Sequence, residues 1–411
     1  MHEEERQYDV VVWGASGFTG RLVVEYLLAR YAPGGKLRWA VAGRNKKKLE
    51  QLFDSIEEGA AKPAIIIADS HDRDSIDQLT RSTRVILTTV GPYAKYGSEL
   101  VDTCVTNGTH YCDLCGEVQW MRKMIDQHQI AAGNSGARIV MSCGFDSIPS
   151  DMGLWFLQQQ AKEKHGQVCS EATLLVRAIK GGASGGTYAS MLNAIEQARQ
   201  DRNVARILVD PYALNPEGER KGPDARDQRG AVYDADAKVW TAPFVMAGVN
   251  TRVVRRSHAL GNFPYGRDFR YHEATICGPG VGGRLKAMLI SAGLTSFMMA
   301  SAIHFTRRTI VQKLLPKPGE GPSRHERENG YFNLLLIGKL PDGELMHVRI
   351  KGDRDPGYGS TSKMLAESAV CLALDEAAVG GGFWTPSTAM GARLLGRLTD
   401  NAGLSFEIEK R

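Results

Sequence analysis

Three glycines near the amino terminus have the spacing of a phosphate-binding loop. Gly14, Gly17 and Gly20 follow a run of β-branched apolar residues that is typical of a buried parallel strand. In such a loop the first glycine permits a tight turn, the second admits the backbone to a pyrophosphate, and the third lets the next helix pack on its strand. Amides at the start of that helix bind phosphate. We therefore expect the whole loop to contact a dinucleotide, through Gly14, Ala15, Ser16, Gly17, Phe18, Thr19 and Gly20.

The basic residue Arg44 indicates which dinucleotide this is. It follows a second predicted strand, residues 37–42, near the place where NAD-binding proteins carry an acidic residue for the ribose hydroxyl. An arginine there pairs with a 2′-phosphate instead. The lysines at 46–48 suit either a solvated turn or direct contact with the ligand. Because the spacing GxxGxxG departs from the usual GxGxxG, Arg44 carries much of the prediction that the cofactor is NADP.

The elements that must position these residues alternate between strand and helix over the first third of the chain. Further strands are predicted at residues 64–68, 84–89, 109–113 and 137–141. This order predicts an α/β fold with a Rossmann-type doubly wound parallel sheet, whose ligand lies beyond the carboxyl ends of the strands. The strand-end loops are residues 90–93, 114–117 and 142–147. Within and beside them, the residues expected to contact the cofactor are Thr89, Val90, Gly91, Pro92 and Gly144.

The rest of the chain has a different pattern. At 411 residues the chain is long enough for two domains. After residue 151 the predicted strands become longer and more amphipathic, which indicates a second domain. Residues 208–238 are polar and contain proline, so we expect a long surface loop or lid there. Residues 404–408 alternate as an edge strand does.

Charge and cysteine content narrow the class of protein. The net charge of +5 is spread along the chain, so we do not expect nucleic-acid binding. Seven cysteines, with no apolar export signal at the amino terminus, favour reduced thiols inside a cell. Cys104, His110, Cys112 and Cys115 could together supply zinc ligands. Because alternate side chains of a strand face opposite ways, they do not easily converge, and we expect no metal.

An apolar stretch, residues 287–305, stands apart from the rest. It contains no Asp, Glu, Lys or Arg and is flanked by basic residues on both sides. We expect a helix over about residues 285–306. Three interpretations remain open, namely a buried helix, a helix at a membrane or lipid surface, and a barely sufficient membrane span.

Several sequence blocks resemble the saccharopine dehydrogenase-like oxidoreductases, and most closely the branch that includes the mycobacterial trans-acting enoyl reductases and the animal saccharopine dehydrogenase-like protein. The resemblance covers nearly the whole chain. Its blocks are residues 14–20, 89–93, 143–151, 184–187, 318–323, 355–358 and 385–390.

The resemblance implies a domain order as well as an activity. It implies an NADP-binding Rossmann domain over residues 1–150, a second α/β (α+β) substrate domain over 151–355 that closes over it, and a C-terminal segment, 356–411, that returns to the first domain. The mycobacterial members act in trans to polyketide synthases and reduce an enoyl double bond during lipid assembly. An acyl-thioester substrate carried by a synthase is therefore implied, and oligomerisation remains open.

That reaction needs an acid and electrophilic hydrogen-bond donors near the nicotinamide. The candidate catalytic residues are Tyr93, Asp146, Ser147 and Tyr188. Two of them also have a structural interpretation, since Tyr93 could pack on the cofactor and Asp146 could cap a helix.

Two rival hypotheses remain. One is an amino-acid dehydrogenase or reductase of the saccharopine type, which would need arginines to bind several carboxylates, and Arg252, Arg255, Arg256 and Arg267 are available. The other is a protein that binds NADP without catalysis and docks on a membrane or lipid surface through its apolar helix.

Overall fold

The computed structural model describes residues 6–54, 61–182, 185–303 and 321–409. It forms two compact units. The first comprises Met1–Phe145 and Gly357–Ala402, and the second comprises Asp146–Pro356 and Gly403–Arg411. Residues 356–411, expected to return to the first domain, are thus shared between the two units.

Strands and helices alternate regularly at first and less regularly later. In chain order they are β1 (Tyr8–Trp13), α1 (Phe18–Arg30), β2 (Trp39–Gly43), α2 (Lys46–Glu50), β3 (Ala64–Ile67), α3 (Arg73–Ser82), β4 (Thr83–Thr88), α4 (Tyr93–Tyr96), α5 (Ser98–Thr106), β5 (His110–Cys112), α6 (Val118–Ser135), β6 (Arg138–Val140), α7 (Ile148–His165), β7 (Glu171–Lys180), α8 (Gly185–Gln200), α9 (Arg202–Val209), β8 (Val232–Asp234), β9 (Val239–Pro243), α10 (Ala247–Leu260), β10 (Arg270–Gly278), α11 (Gly280–Ala302), α12 (Arg324–Glu328), β11 (Tyr331–Lys339), β12 (Leu345–Gly352), α13 (Thr361–Leu374), β13 (Gly382–Trp384), α14 (Pro386–Asp400) and β14 (Leu404–Ile408).

The first unit contains a parallel sheet with the strand order β13-β6-β5-β4-β1-β2-β3. The doubly wound sheet predicted from the sequence is confirmed. Strand β1 lies between β2 and β4, and Val10, Val11 and Val12 are fully buried there. The strand order reverses between β1 and β4, and sheets of this kind bind their ligand at the carboxyl ends of the strands beside such a reversal. The seventh strand, β13, was not expected from the sequence, because three residues after a glycine-rich turn carry no periodic signal.

The second unit contains a mixed sheet with the order β14-β12-β11-β7-β10-β9-β8. Strands β7 and β10 are parallel, and the other neighbouring pairs are antiparallel. Its core includes Leu175, Ala274, Leu335 and Ile337. The edge strand predicted at residues 404–408 is confirmed as β14.

The prediction of a surface loop or lid over residues 208–238 is wrong for its first part. Tyr212, Ala213, Leu214 and Asn215 are all buried, and the segment ends in strand β8. The polarity of this segment does not indicate exposure to solvent, because its acidic residues pair with buried arginines of α10, as described below.

Helix α11 begins at Gly280, earlier than the predicted start near 285, and the predicted end at 306 lies outside the described residues. One side packs on the sheet, where Ala287 contacts a small cluster formed by Ala242 and Cys277. The other side is exposed, so the interpretation of a wholly buried helix is wrong. Within the part of the chain that the structure describes, no helix is both long and apolar enough to cross a membrane.

Candidate functional site

In the glycine loop between β1 and α1, two of the three glycines have the geometry that the sequence motif predicts. Gly14 has a φ of +84°, and a β-carbon on it would lie 2.6 Å from the side chain of Val90. A β-carbon on Gly20 would lie 2.2 Å from the carbonyl oxygen of Gly14. Gly17 differs, because its nearest neighbour would be that same carbonyl oxygen at 3.2 Å. Gly17 is exposed, so a ligand can approach the backbone there.

The start of α1 suits an anion. Within the described residues 6–54, no side chain caps this helix and its first turn contains no acidic residue. The positive end of the helix dipole is therefore not neutralised by the protein, which favours a bound phosphate. The ring of Phe18 packs edge-on against Tyr358 at 5.0 Å, and Ala15 is fully buried. Ser16 and Thr19 are half-buried at the loop surface.

The loop after β4 lies against the glycine loop. The Thr89 amide donates to the Trp13 carbonyl at 3.1 Å, and its hydroxyl donates to the Gly14 carbonyl at 3.3 Å. Thr89, Val90 and Pro92 are half-buried and Gly91 is exposed. The structure thus brings the cofactor contacts predicted after β4 together with those predicted after β1.

Arg44 stands at the carboxyl end of β2 with its side chain exposed. It forms no hydrogen bond or ion pair with any residue that the structure describes. Its neighbours are differently engaged, since the Asn45 side chain accepts the Lys48 amide at 3.0 Å and Lys46 pairs with Glu50 at 3.8 Å. Arg44 is therefore available to a ligand phosphate.

Tyr93 is buried, with 4% of its surface exposed. Its hydroxyl donates to the Thr88 carbonyl at 3.3 Å and accepts from the Leu114 amide at 3.4 Å. The ring stacks on Trp120 at 5.5 Å. Burial raises the pKa of Tyr93 well above its ordinary value. This placement favours a side chain that ties two strand-end loops together over one that donates a proton to substrate.

Asp146 and Ser147 follow the carboxyl end of β6 and begin the second unit. Asp146 is half-buried and forms no hydrogen bond or ion pair within the described residues. Burial alone raises the pKa of Asp146 to about 7. Ser147 is fully buried, and its hydroxyl donates to Asn250 Oδ1 at 3.1 Å. Asp146 therefore exists partly as a neutral acid near neutral pH, whereas the Ser147 hydroxyl is engaged within the protein.

Comparison with known proteins decides the family. Residues 10–140 match the saccharopine dehydrogenase NADP binding domain. A Mycobacterium tuberculosis (strain ATCC 25618 / H37Rv) protein is 39% identical over 99% of both chains. The trans-acting enoyl reductases of Mycobacterium tuberculosis and Mycobacterium leprae are 35% and 34% identical, each over 97% of both chains.

The chain belongs to the saccharopine dehydrogenase-like family, in the branch of the trans-acting enoyl reductases. The resemblance inferred from the sequence blocks is confirmed. Saccharopine dehydrogenase (L-Glu forming) from Saccharomyces cerevisiae has the same fold, with a TM-score of 0.53 at 12% identity over 98% of this chain and 99% of that one. The prediction of NADP is confirmed by the family domain, and this family member is an NADP-dependent oxidoreductase.

The residues of this saccharopine dehydrogenase-like chain fit NADP. Gly14 and Gly20 occupy positions that a β-carbon would obstruct, Gly17 is open, and Arg44 is exposed and has no partner among the residues that the structure describes. The observations on the three glycines concern the backbone of the dinucleotide, and the observation on Arg44 concerns its 2′-phosphate. The role of each residue in holding NADP stays a prediction.

Gly144 has a packing reason of its own. A β-carbon on it would lie 2.9 Å from Thr361 Cγ2 and 3.4 Å from Leu114 Cβ. The next amide, of Phe145, donates to Thr361 Oγ1 at 2.9 Å. The strand-end loop after β6 is thus held against the start of α13, and whether Gly144 also contacts the cofactor stays a prediction.

Two acidic residues near the carboxyl ends of the parallel strands accept backbone amides, although no role was predicted for them from the sequence. Asp113 is fully buried and accepts the amides of Cys115 and Ser142, both at 2.9 Å. Burial raises the pKa of Asp113 to about 6. The Glu117 carboxylate accepts the Tyr93 amide at 2.7 Å. The sequence contained a signal for both, because Asp113 is the last residue of a predicted parallel strand and Glu117 lies in the loop after it. Both acids join neighbouring loops rather than face solvent.

The arginines that could bind several carboxylates are used within the second unit. Arg252, Arg255 and Arg256 are buried on α10. Arg252 pairs with Asp227, and Arg255 pairs with Asp224 at 2.6 Å. Arg256 donates to the Leu214 carbonyl at 2.5 Å, while the exposed Arg267 pairs with Glu219 at 2.8 Å. The three buried arginines are therefore not available to a polycarboxylate substrate of the saccharopine type, whereas Arg267 is exposed.

Tyr188 lies in the first turn of α8 and is half-buried. It belongs to the second unit, whereas Tyr93 belongs to the first. Of the residues considered as zinc ligands, Cys104, Cys112 and Cys115 are buried, the Cys115 sulfur accepts the Glu117 amide at 3.3 Å, and the His110 ring contacts Arg138.

Proposed function

We propose that this protein reduces the carbon–carbon double bond of an α,β-unsaturated acyl thioester, with NADPH as the reductant and a synthase-bound acyl group as the substrate class. The observation that carries the proposal is Asp146, a half-buried acid that lies just beyond the carboxyl end of a Rossmann strand and has no hydrogen-bond or ion-pair partner in the described part of the chain. The names of the mycobacterial relatives support the reaction type.

The proposed division of labour follows from the reaction. Bound NADPH supplies a hydride for the β-carbon of the substrate. Negative charge then develops on the thioester oxygen, and the α-carbon must receive a proton. We assign that proton to the Asp146 carboxyl. A general acid is most effective when its pKa lies near the working pH, and burial raises the pKa of Asp146 to about 7.

The cofactor is held, in this proposal, by groups of the first unit. The amides of the glycine loop bind the pyrophosphate, and Arg44 binds the 2′-phosphate. The loop residues Thr89, Val90, Gly91, Pro92 and Gly144 line the remainder.

Tyr188 remains the candidate for stabilising the thioester oxygen, because Tyr93 and Ser147 have their hydroxyls engaged within the protein. Replacing Tyr188 with Phe is expected to lower kcat while leaving NADPH affinity unchanged, which a comparison of turnover with cofactor fluorescence titration measures. An unchanged kcat in Y188F removes Tyr188 from the reaction.

The experiment that tests the function is NADPH oxidation with a crotonyl thioester of pantetheine. We expect Asp146→Asn to lower kcat by about 100-fold or more, the range that general acids contribute, with little change in NADPH binding. The matched control is Asp268→Asn, an exposed aspartate of the same unit. Full turnover by D146N, or turnover of saccharopine with none of any enoyl thioester, would contradict the proposal.

We also propose that α11 docks this protein on an anionic phospholipid surface. Its outward side presents large apolar side chains that are 44–76% exposed, namely Val281, Leu285, Met288, Leu289, Met298 and Met299. Monomeric proteins rarely expose so many adjacent apolar groups without a partner. The described helix contains no acidic residue, and its two charged residues, Arg284 and Lys286, are exposed and basic.

Charge and aromatic content favour a lipid surface over a second protein copy as the partner of α11. Two copies would bring like charges together, whereas an anionic headgroup layer complements them. The Arg284 guanidinium lies over the Trp240 ring at 5.3 Å, and Trp240 packs against the half-exposed Tyr233. Aromatic and basic side chains beside an apolar helix face are typical of interfacial helices.

Co-sedimentation with vesicles tests this surface. We expect binding to phosphatidylglycerol vesicles, weak binding to phosphatidylcholine vesicles, and loss of the difference at high salt. The double variant Leu285→Glu/Leu289→Glu should lose at least tenfold in partitioning, whereas Ile130→Glu, at an isolated exposed isoleucine of α6, should lose little. If the double variant changes the oligomeric state instead, α11 is a contact between copies and the lipid proposal fails.

A further inference from the structure

Ser147 has a backbone conformation that serine rarely adopts. Its φ is +109° and its ψ is −21°, a region that favours glycine. It immediately follows Asp146 and is fully buried. Such a conformation persists only where the surrounding structure holds it, and it is most often found at functional sites. The question is what holds residue 147 there.

Asn250 on α10 holds the Ser147 side chain. The residue is 2% exposed, and its Oδ1 accepts the Ser147 hydroxyl at 3.1 Å. Its Nδ2 donates to Glu273 Oε2 at 2.9 Å. Because one end of the amide meets a hydroxyl and the other meets a carboxylate, a flipped amide would place its oxygen against the carboxylate. The orientation of Asn250 is therefore fixed.

Glu273 on β10 fixes the far end of this chain of hydrogen bonds. It is 2% exposed and its Oε1 accepts the Tyr271 hydroxyl at 2.8 Å. The hydroxyl of Ser150 also bonds to it. A buried carboxyl with three donors is held rigidly, because losing any one donor leaves a buried acceptor unsatisfied.

We infer that Glu273, Asn250 and Ser147 form a positioning relay that holds the left-handed turn at residue 147 and so keeps the Asp146 carboxyl turned away from internal partners, where it can serve as the proton donor. The relay lies wholly within the second unit. None of its three members is assigned to contact substrate. The inference rests on the proposed function, because it gives the relay its purpose through Asp146.

If the relay holds the turn, glycine and alanine at position 147 should affect kcat differently. Glycine adopts the observed φ without strain, so Ser147→Gly keeps the turn without the hydroxyl. Alanine retains the strained β-carbon and lacks the hydroxyl, so Ser147→Ala releases the turn. With crotonyl-pantetheine we expect S147A to lower kcat at least tenfold and S147G to stay within about threefold of the native protein, with NADPH affinity unchanged in both. This asymmetry follows from the positive φ.

A double-mutant cycle tests the link to α10. Asn250→Ala alone should lower kcat at least tenfold, whereas adding it to S147G should change kcat little, because glycine holds the turn without Asn250. Thr251→Ala, at the next buried residue of α10, is the control that disturbs the helix but not the relay. Should N250A fail to fold, the S147A and S147G pair still decides the matter.

A second readout does not depend on turnover. In the protein without cofactor, the carboxyl titration of Asp146 followed by NMR should move toward the ordinary aspartate range in N250A, because a released turn exposes the carboxyl to water. Equal kcat in S147A and S147G, additive effects of N250A, or an unchanged Asp146 titration would overturn the relay. These outcomes are distinct from a failure of the proposed function, which appears as full turnover by D146N.

Discussion

Two sets of arginines in this protein suggest the same chemistry from sequence and have opposite surroundings in the structure. Arg44 at the end of β2 is exposed and has no partner among the described residues, whereas Arg252, Arg255 and Arg256 on α10 are buried and engaged. Residue type therefore identifies an anion ligand only when exposure and the local partners agree with it. The comparison supports a phosphate at Arg44 and removes the polycarboxylate site proposed for α10.

Breaking a buried arginine pair should have the largest effect. Arg252→Leu leaves the partly exposed Asp227 without its cation and should lower the free energy of unfolding by about 3 kcal/mol, measured by urea denaturation. Arg267→Leu removes an exposed pair and should cost less than about 1 kcal/mol. Equal losses in the two variants would show that the arginines of α10 are not the structural group we describe.

Substitutions at two glycines of the loop should separate an effect on stability from an effect on NADPH binding. Gly20→Ala forces a β-carbon to within 2.2 Å of the Gly14 carbonyl and should lower stability by about 1–3 kcal/mol. Gly17→Ala meets only one atom at 3.2 Å and should leave stability nearly unchanged while weakening NADPH binding. Thermal unfolding and cofactor fluorescence measure the two effects, and an unimpaired affinity in G17A would place the pyrophosphate elsewhere.

Arg44→Ala should weaken NADPH binding without affecting the fold. A lost charge-assisted hydrogen bond is worth about 1.5–3 kcal/mol, which corresponds to about a 10- to 100-fold rise in Kd. NADH lacks the 2′-phosphate, so its affinity should not change. A parallel loss for both cofactors would mean that Arg44 does not contact the 2′-phosphate.

The smallest expected effect concerns Asp146 and pH. Because burial raises the pKa of Asp146 to about 7 in the folded protein, folding disfavours the ionised form. Its contribution to stability is therefore present near pH 4 and is lost as the pH rises through about 7. Since the side chain is partly solvated, we expect a loss of only about 1 kcal/mol. Urea denaturation at pH 4.5 and pH 8 should show this slope in the native protein and a flatter one in D146N.

The sequence predicted those parts of the site that depend on local chain geometry. A β-branched run followed by spaced glycines specifies β1, the turn and α1 without reference to distant residues, and Arg44 follows from its place after β2. The partners of Tyr93, Asp113 and Asn250 could not be predicted, because each bond joins residues 20 or more positions apart or depends on side-chain burial. The exposure of one side of α11 likewise could not be predicted from the sequence, since an apolar stretch has the same composition whether it is covered or not.

Strand β13 has a consequence for how the nucleotide-binding unit is made. It supplies the outermost strand beside β6, yet it lies more than 200 residues later in the chain. A ribosome therefore synthesises residues 146–356, which are most of the second unit, before the parallel sheet can be completed. Until then β6 presents an open edge, which is a site for mispairing with other chains. Joining such distant segments is slow, so we expect the cofactor-binding unit to be among the last parts of this protein to mature, although its glycine motif is synthesised well before β13.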